Sequence, residues 1–187
     1  MSATTNFKDH FLLAMPGLAD PTFRHALIYI CEHNEHGAMG LVINHPSDVT
    51  LGRVFEEFEL DYPADIGDQP LLSGGPVQQE RGFVIHRPGE TQWTSTLQVS
   101  PAVCITASRD IIVDIASRRG PPASYVSLGY SGWGAGQLEQ ELADNSWLVC
   151  PADPEIIFDT PFPLRARATA ERMGIDLSRL STQAGHA

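Results

Sequence analysis

One lysine, Lys8, is all that this chain of 187 residues contains, and arginine does not fill the gap: 12 Lys+Arg stand against 23 Asp+Glu, for a net charge of −11. Affinity for a phosphate backbone scales with the phosphates that basic side chains neutralise, and an acidic body repels nucleic acid at long range. The adjacent Arg118 and Arg119, and the later Arg165, Arg167, Arg172 and Arg179, leave room for a local basic face. Direct nucleic-acid binding is nevertheless disfavoured. Cysteine is scarce as well. Cys31, Cys104 and Cys150 are far apart and odd in number, with no C-x-x-C pair, which excludes a disulfide framework. Cys31 and Cys104 lie in apolar runs, where cysteine acts as a small hydrophobe. No stretch approaches 18 consecutive apolar residues, so no membrane-spanning helix is expected. The polar opening lacks the basic and apolar stretches of a secretory signal, and the expected compartment is the cytoplasm. Phosphate-loop and dinucleotide fingerprints are missing, and no internal repeat is evident.

What is present is an ordinary globular composition, with 42% hydrophobic residues, enough for one core. The reading is a flexible arm over 1–9, a single domain over 10–180 and a tail over 181–187. Phe23 to Cys31 and Ala38 to Ile43 read as strands joined by a turn at His33 to Gly37, a hairpin. Val54, Phe55 and Phe58 share one face of a helix whose other side is acidic. Further strands are expected at Gly82–His86, Gln92–Val99, Val103–Thr106, Tyr125–Tyr130 and Ser146–Cys150. Helices are expected at Ser108–Ala116, Gly136–Asp144 and Pro163–Met173, with a short edge strand or tight connection at Pro70–Val77. Hairpins come first and strand–helix–strand units follow. That predicts an α+β domain with a mixed, mainly antiparallel, barrel-like sheet packed by about four helices.

The candidate chemistry gathers at glycine-rich segments. Gly129-Tyr130-Ser131-Gly132-Trp133-Gly134-Ala135-Gly136 reads as a strand-to-helix turn. It begins like the G-x-S-x-G elbow of a hydrolase, but Trp133 stands where the second glycine is required, and no Asp…His pair follows; the one later histidine is His186. No catalytic residue is assigned. The small residues can still offer backbone N–H groups to an anion. Gly74 and Gly75 permit unusual backbone angles or close approach, and Arg81 lies nearby. If these segments meet, Gly74, Gly75, Arg81, Ser131, Gly132, Trp133, Gly134 and Gln137 line a groove for a small ligand or peptide. His33 and His36, beside Cys31 and Glu35, are the right ligand types for zinc, but turn histidines of this spacing are weak metal candidates. His25 and His86 sit within or beside strands, where a neighbouring carboxylate would make a base. No cofactor is implied.

Phe11-Leu-Leu-Ala-Met-Pro16, Gly37-Ala-Met-Gly-Leu-Val-Ile-Asn44, Gly74-Gly-Pro-Val77, Arg81-Gly-Phe-Val84, Leu128-Gly-Tyr-Ser-Gly-Trp133 and Gly136-Gln-Leu-Glu139 together resemble the YqgE/AlgH family (UPF0301, DUF179), over nearly the whole chain. The resemblance implies a one-domain, soluble, bacterial α+β protein. Some members carry a transcriptional-regulator label, and the resemblance transfers no catalytic residue, cofactor or DNA-reading element. The expectation is a protein that is not an enzyme and acts, if it regulates, through a protein or small-molecule partner. The alternatives are a direct DNA-binding regulator and a small hydrolase or anion-binding enzyme working at Gly129–Gly136. A mobility-shift series with duplex DNA across salt is expected to show no specific retention; retention that falls steeply as salt rises would restore the DNA-binding alternative.

Overall fold

The computed structural model describes residues 5–18 and 20–183. Residues 1–4 of the expected arm, and residues 184–187 of the expected tail with His186, lie outside the described residues. The strands are β1 (His10–Ala14), β2 (Leu27–Asn34), β3 (Gly37–Val42), β4 (Pro46–Thr50), β5 (Pro70–Ser73), β6 (Val77–His86), β7 (Thr96–Ser100), β8 (Val103–Thr106), β9 (Ser124–Gly134) and β10 (Trp147–Pro151). The helices are α1 (Leu51–Glu57), α2 (Ala64–Gly67), α3 (Arg109–Ala116), α4 (Gln137–Ala143), α5 (Pro154–Phe158), α6 (Arg165–Arg172) and α7 (Leu177–Gln183).

One sheet runs in the order β10-β1-β2-β3-β9-β6-β8-β7, with β4 and β5 attached beside β9. Every pairing is antiparallel except β5 with β9. The domain is therefore α+β with a mixed, mainly antiparallel sheet. The apolar clusters show its curvature. A single cluster joins Phe11, Tyr29 and Leu41 from one half of the sheet to Phe83, Ile85 and Ile105 from the other, and takes in Ile156, Ile157 and Phe158 of α5 and Ala170 of α6. The opposite face carries two separate clusters. One lies under α1 and α3 around Phe55, Ile111 and Val126, and the other under α4 around Ile28, Trp133 and Trp147. One face converges and the other diverges, so the sheet curls into a half-barrel.

Helices α5 and α6 plug part of the concave face. Asp153 caps α5 through Glu155 N–H at 2.9 Å, with proline in the first turn, the arrangement that suits helix starts. Arg165, fully buried, ties α6 down. Its Nε donates to Thr160 O at 2.8 Å and its Nη1 to Ile43 O at 2.6 Å. The guanidinium lies 4.6 Å from the Tyr125 ring and 4.5 Å from that of Phe162, where the ring faces attract the cation.

The segment expected as a glycine-rich turn is strand. β9 runs on to Gly134, and only Ala135-Gly136 turns before α4. The physical reason is long-range pairing: Gly134, Trp133, Gly132 and Ser131 register against Gly37, Ala38, Met39 and Gly40. β9 thus serves both halves of the sheet. Along its first half, β5 pairs at Ser127 and Leu128 while β6 pairs at those same residues. A strand has two edges, so β5 and β6 occupy opposite ones. The three-residue link Gly74-Gly75-Pro76 must cross β9 itself, a span of roughly 10 Å for two strand spacings.

That crossing explains the glycines. Gly75 is at φ 153°, and a Cβ on it would fall inside the Tyr130 carbonyl. Gly129 is at φ 73°, and a Cβ there would sit 2.5 Å from the Gly75 carbonyl oxygen. Ser131 Oγ donates to Gly74 O at 3.1 Å, Gly74 N–H donates to Leu128 O at 2.9 Å, and Val42 N–H to Gly74 O at 2.9 Å. Alanine at Gly129 or Gly75 is expected to cost about 2 kcal/mol or more, from the left-handed backbone and the backbone clash together. Alanine at Gly132, whose nearest neighbour would be a Tyr130 ring carbon at 3.4 Å, is expected to stay within about 0.5 kcal/mol of the parent. Urea denaturation of the three variants checks the order.

Candidate functional site: a groove on the concave face

Where α5 and α6 leave the concave face uncovered, a groove of about 640 Å³ opens across β2, β3, β9, β6, β8 and β7. Phe83 and Ile105 are buried in its floor, and Met39, Leu97 and Tyr130 are half-buried there. Two irregularities bring these residues to one face. At Gly129, left-handed where the β6 pairing breaks between Val77 and Gly82, the facing of β9 changes, so Tyr130 and Gly132 face the groove while Val126 and Leu128 pack beneath α1 and α3. On β2 the register shifts between Ile30 and Glu32, which presents Cys31 and Glu32 to the groove in succession. A one-residue change of phase turns the following side chains to the other face of a sheet.

Arg81 stands on the β6 side, exposed, its guanidinium 5.0 Å from the Phe83 ring centre. Its Nη1 donates to Gln78 Oε1 at 3.4 Å. Among the described residues no carboxylate pairs with Arg81, and none of the basic side chains pairs with Glu32 on the β2 side. Cys31 offers no thiolate. Burial, and then the charge of Glu32, push its thiol well above the ordinary range.

The expected site residues are divided by the structure. Arg81, Gly132 and Trp133 border the groove, although the Trp133 indole itself packs outward, 6.1 Å from that of Trp147. Gly74, Gly75 and Ser131 meet in direct packing. Ser131 is fully buried with its hydroxyl on Gly74 O, so it is no exposed nucleophile. Gly75 instead borders a second depression of about 290 Å³ on the outer side, with His45, Ser47 and Ser73. Gly134 and Gln137 close the turn into α4, where the Gly134 N–H donates to Gln137 Oε1 at 2.9 Å.

The histidines are also placed. His36 is exposed at the hairpin tip, whereas His33, read from the sequence as part of the turn, is a buried residue of β2. Phe7 N–H donates to His33 Nδ1 at 2.9 Å and the Phe7 ring stacks on it. Nδ1 is therefore the unprotonated nitrogen, and Nε2–H donates to Glu139 Oε1 at 2.5 Å. The partner lies 106 positions away, which is why no local pattern announced it. His86 is buried with Nδ1 against the Arg87 carbonyl at 3.0 Å, so Nδ1 donates and Nε2 accepts from the Thr106 hydroxyl at 2.7 Å. Burial holds His86 below the usual imidazole range. His25 has φ 57° in the turn before β2. No group of three or more His, Cys, Asp or Glu that could hold a metal occurs among the described residues, and no helix there is long and apolar enough to cross a membrane. Glu32, Asn34, Met39 and Leu97 were not assigned to a groove by sequence reasoning. Their common face is created by strand order and by the β2 bulge, and the pairing of Cys with Glu where alternation fails was the one local sign.

Fold and groove define a class: a single-domain α+β protein on a curled sheet, with a concave groove and no catalytic constellation among the described residues. Residues 11–178 match the AlgH-like family, DUF179, and the chain belongs to that family. It is similar to UPF0301 proteins of Thioalkalivibrio sulfidiphilus, 53% identical over 187 residues and 100% of both chains, and of Stutzerimonas stutzeri, 50% identical over 188 residues, 100% of this chain and 98% of the relative. The solution structure of the AlgH protein from Pseudomonas aeruginosa superposes with a TM-score of 0.81 at 49% identity, covering 100% of this chain and 99% of the other. A crystal structure from Corynebacterium diphtheriae, at 20% identity and a TM-score of 0.76 over 97% of this chain and 94% of that one, shares the fold.

The surroundings of Glu139 make stability depend on pH. Glu139 is held below the usual carboxylate range, first by its own backbone N–H and further by His33, against the cost of partial burial. A depressed folded pKa stabilises above the unfolded value, about 4.3, and that stabilisation disappears as pH falls through the folded value. Glu139→Gln is expected to flatten the acid side of the urea-midpoint profile below about pH 5; an unchanged profile would remove the carboxylate from the account.

Proposed function

We propose that this protein is a non-enzymatic binding protein whose concave groove takes an amphipathic ligand bearing an anionic group at Arg81. Any regulatory effect is then exerted through that ligand or through a protein partner, not by direct contact with DNA. The observation that carries this reading is Arg81, lying on Phe83 at the margin of an apolar floor without a carboxylate partner among the described residues. A guanidinium stacked on a ring keeps its planar fork available for a carboxylate, sulfonate or phosphate, and the apolar floor adds the area burial that holds a small ligand.

The side chains that could carry covalent chemistry support a binding role. Ser131 is engaged with Gly74 O, the Cys31 thiol is kept protonated by burial, and His86 is closed in between the Arg87 carbonyl and Thr106. None is paired with a base in the manner that activates a nucleophile. The net charge of −11 favours anionic ligands only where a local cation meets them, and Arg81 is that cation.

Gly132 gives a clean test. It faces the groove, is exposed and leaves room for a side chain. Fluorescence titration with 1-anilinonaphthalene-8-sulfonate, an apolar body with one sulfonate, is expected to give saturable one-to-one binding. Gly132→Leu should abolish it while leaving the fold intact by circular dichroism. Arg81→Gln should weaken it about tenfold, the scale of one charge-assisted hydrogen bond. Undiminished binding by Gly132→Leu would place the dye, and the site, elsewhere.

A further inference from the structure

We propose that His33 is a pH-sensitive latch for the segment that precedes β1: with its ring neutral it holds residues 5–8 on the β2–β3 hairpin beside the groove, and with its ring protonated it lets them go.

The hydrogen-bond pattern sets the direction. The Phe7 N–H donates to His33 Nδ1 at 2.9 Å, while Nε2–H donates to Glu139 Oε1 at 2.5 Å. The neutral ring satisfies both neighbours. An imidazolium carries a proton on each nitrogen, so Nδ1–H would then face the Phe7 N–H, donor against donor. The Glu139 carboxylate acts the other way, because an adjacent negative charge favours the cation. One ring is thus pulled from two sides: the docked segment requires the neutral form, and α4 favours the charged one. The His33 side chain is 2% exposed, so water reaches the two opposed donors only when the segment moves off.

The fold supplies a hinge. Asp9 is fixed by its N–H on Ile30 O at 2.9 Å, by its carbonyl, which accepts from Ala152 N–H at 3.1 Å, and by its carboxylate, which accepts from the Tyr29 hydroxyl at 2.6 Å. Its backbone is left-handed, φ 60°, in the turn that leads into β1. Residues 5–8 are tied down by less: the Phe7 N–H on His33, and the Phe7 ring stacked on the imidazole at 5.5 Å. Thr5 and Asn6 line a depression with Asn34 and His36, and those two also border the groove. The latch therefore sits at the hairpin end of the groove.

The other charged groups around His33 do not share its role. His10 meets the Phe7 ring edge-on and donates Nδ1–H to the Lys8 carbonyl at 2.9 Å, a bond that both charge states of that ring can make. Lys8 contributes its backbone, with its N–H on Asn6 Oδ1 at 2.8 Å. Glu35 and His36 pair with each other at the exposed hairpin tip, 3.5 Å apart, and Glu32 lies on the groove side. Across the ladder His33 registers with Ala38, which carries no charge.

NMR of the ¹⁵N-labelled full chain between pH 8 and pH 5, where imidazoles change charge, tests this by reading the His33 ring nitrogens and the Phe7 amide together. Release takes up one proton, so the protection factor of the Phe7 amide is expected to fall by up to tenfold per pH unit as His33 is protonated. Its midpoint should equal that of the ring, and the Asp9 amide should keep its protection throughout. Glu139→Gln keeps an acceptor but removes the charge that favours the imidazolium, and should move both midpoints to lower pH together. His33→Gln, whose side chain does not titrate, should remove the step at Phe7. A Phe7 amide that stays protected while His33 takes up its proton, a step that survives in His33→Gln, or a ring that remains neutral down to pH 5 overturns the latch. Loss of Asp9 protection at the same midpoint overturns it as well, because β1 would then be opening as a whole.

Discussion

The crossing of Gly74-Gly75-Pro76 over β9 is the contact on which the rest of this fold depends. Two strands that neighbour each other in sequence, β5 and β6, flank β9 on opposite edges. The connection between them lies backbone against backbone, closer than any Cβ allows at Gly75 and Gly129. Polar groups brought together in this way have to be satisfied on the spot, and they are. Gly74 donates to Leu128, accepts from Val42, and accepts again from the Ser131 hydroxyl. The same short stretch therefore joins β3, β5 and β9, and places the two halves of the sheet around one strand.

The groove is a consequence of that junction. Gly129, left-handed where the crossing chain presses on it, shifts the phase of β9, so the strand presents Val126 and Leu128 to the outer helices and then Tyr130 and Gly132 to the concave side. Curling brings Arg81, Phe83 and Ile105 onto the surface that also carries Met39 and Cys31. Arg165 ties α6 to the end of β3 and lies between Tyr125 and Phe162. A buried guanidinium is costly unless its donors are used; here Nε and Nη1 donate to two backbone carbonyls and two ring faces cover the plane, while Nη2 is buried without a hydrogen-bond partner among the described residues. What the groove presents is an apolar floor with Arg81 at its margin, without a carboxylate partner among the described residues.

Much of this was legible in the sequence, for reasons that can be stated element by element. The β2–β3 hairpin follows from its apolar, β-branched runs and its turn, and α3 from Ile111, Ile112 and Ile115 at helical spacing. The family follows from its glycine-containing motifs, and the mixed, mainly antiparallel α+β architecture from the order of elements. What could not be read locally is what depends on distant pairing. Gly129–Gly134 is glycine-rich and reads as a turn, yet it is strand because Gly37–Gly40 pair with it. β4 is polar and short, and exists through its pairing with β5. His33 reads as a turn residue and is buried by Phe7 and Glu139. Gly74 and Gly75 pack against Gly129 and Ser131, whereas Gly132 borders the groove. Their roles differ because Gly74 and Gly75 press on a backbone, whereas a Cβ on Gly132 would meet only the Tyr130 ring and Val77 at ordinary contact distance.

Residue-resolved hydrogen exchange at the crossing tests the central claim most directly, because it reads the contact itself and needs no substitution. If the junction of Gly74 with Leu128 and Val42 holds the two half-sheets together, the Gly74 and Val42 amides exchange only through global unfolding, with protection equal to that of core strand amides such as Ile28. If those two amides exchange as fast as the exposed hairpin tip at His36, the crossing is a local feature that opens on its own, and the dependence of sheet and groove on it is contradicted.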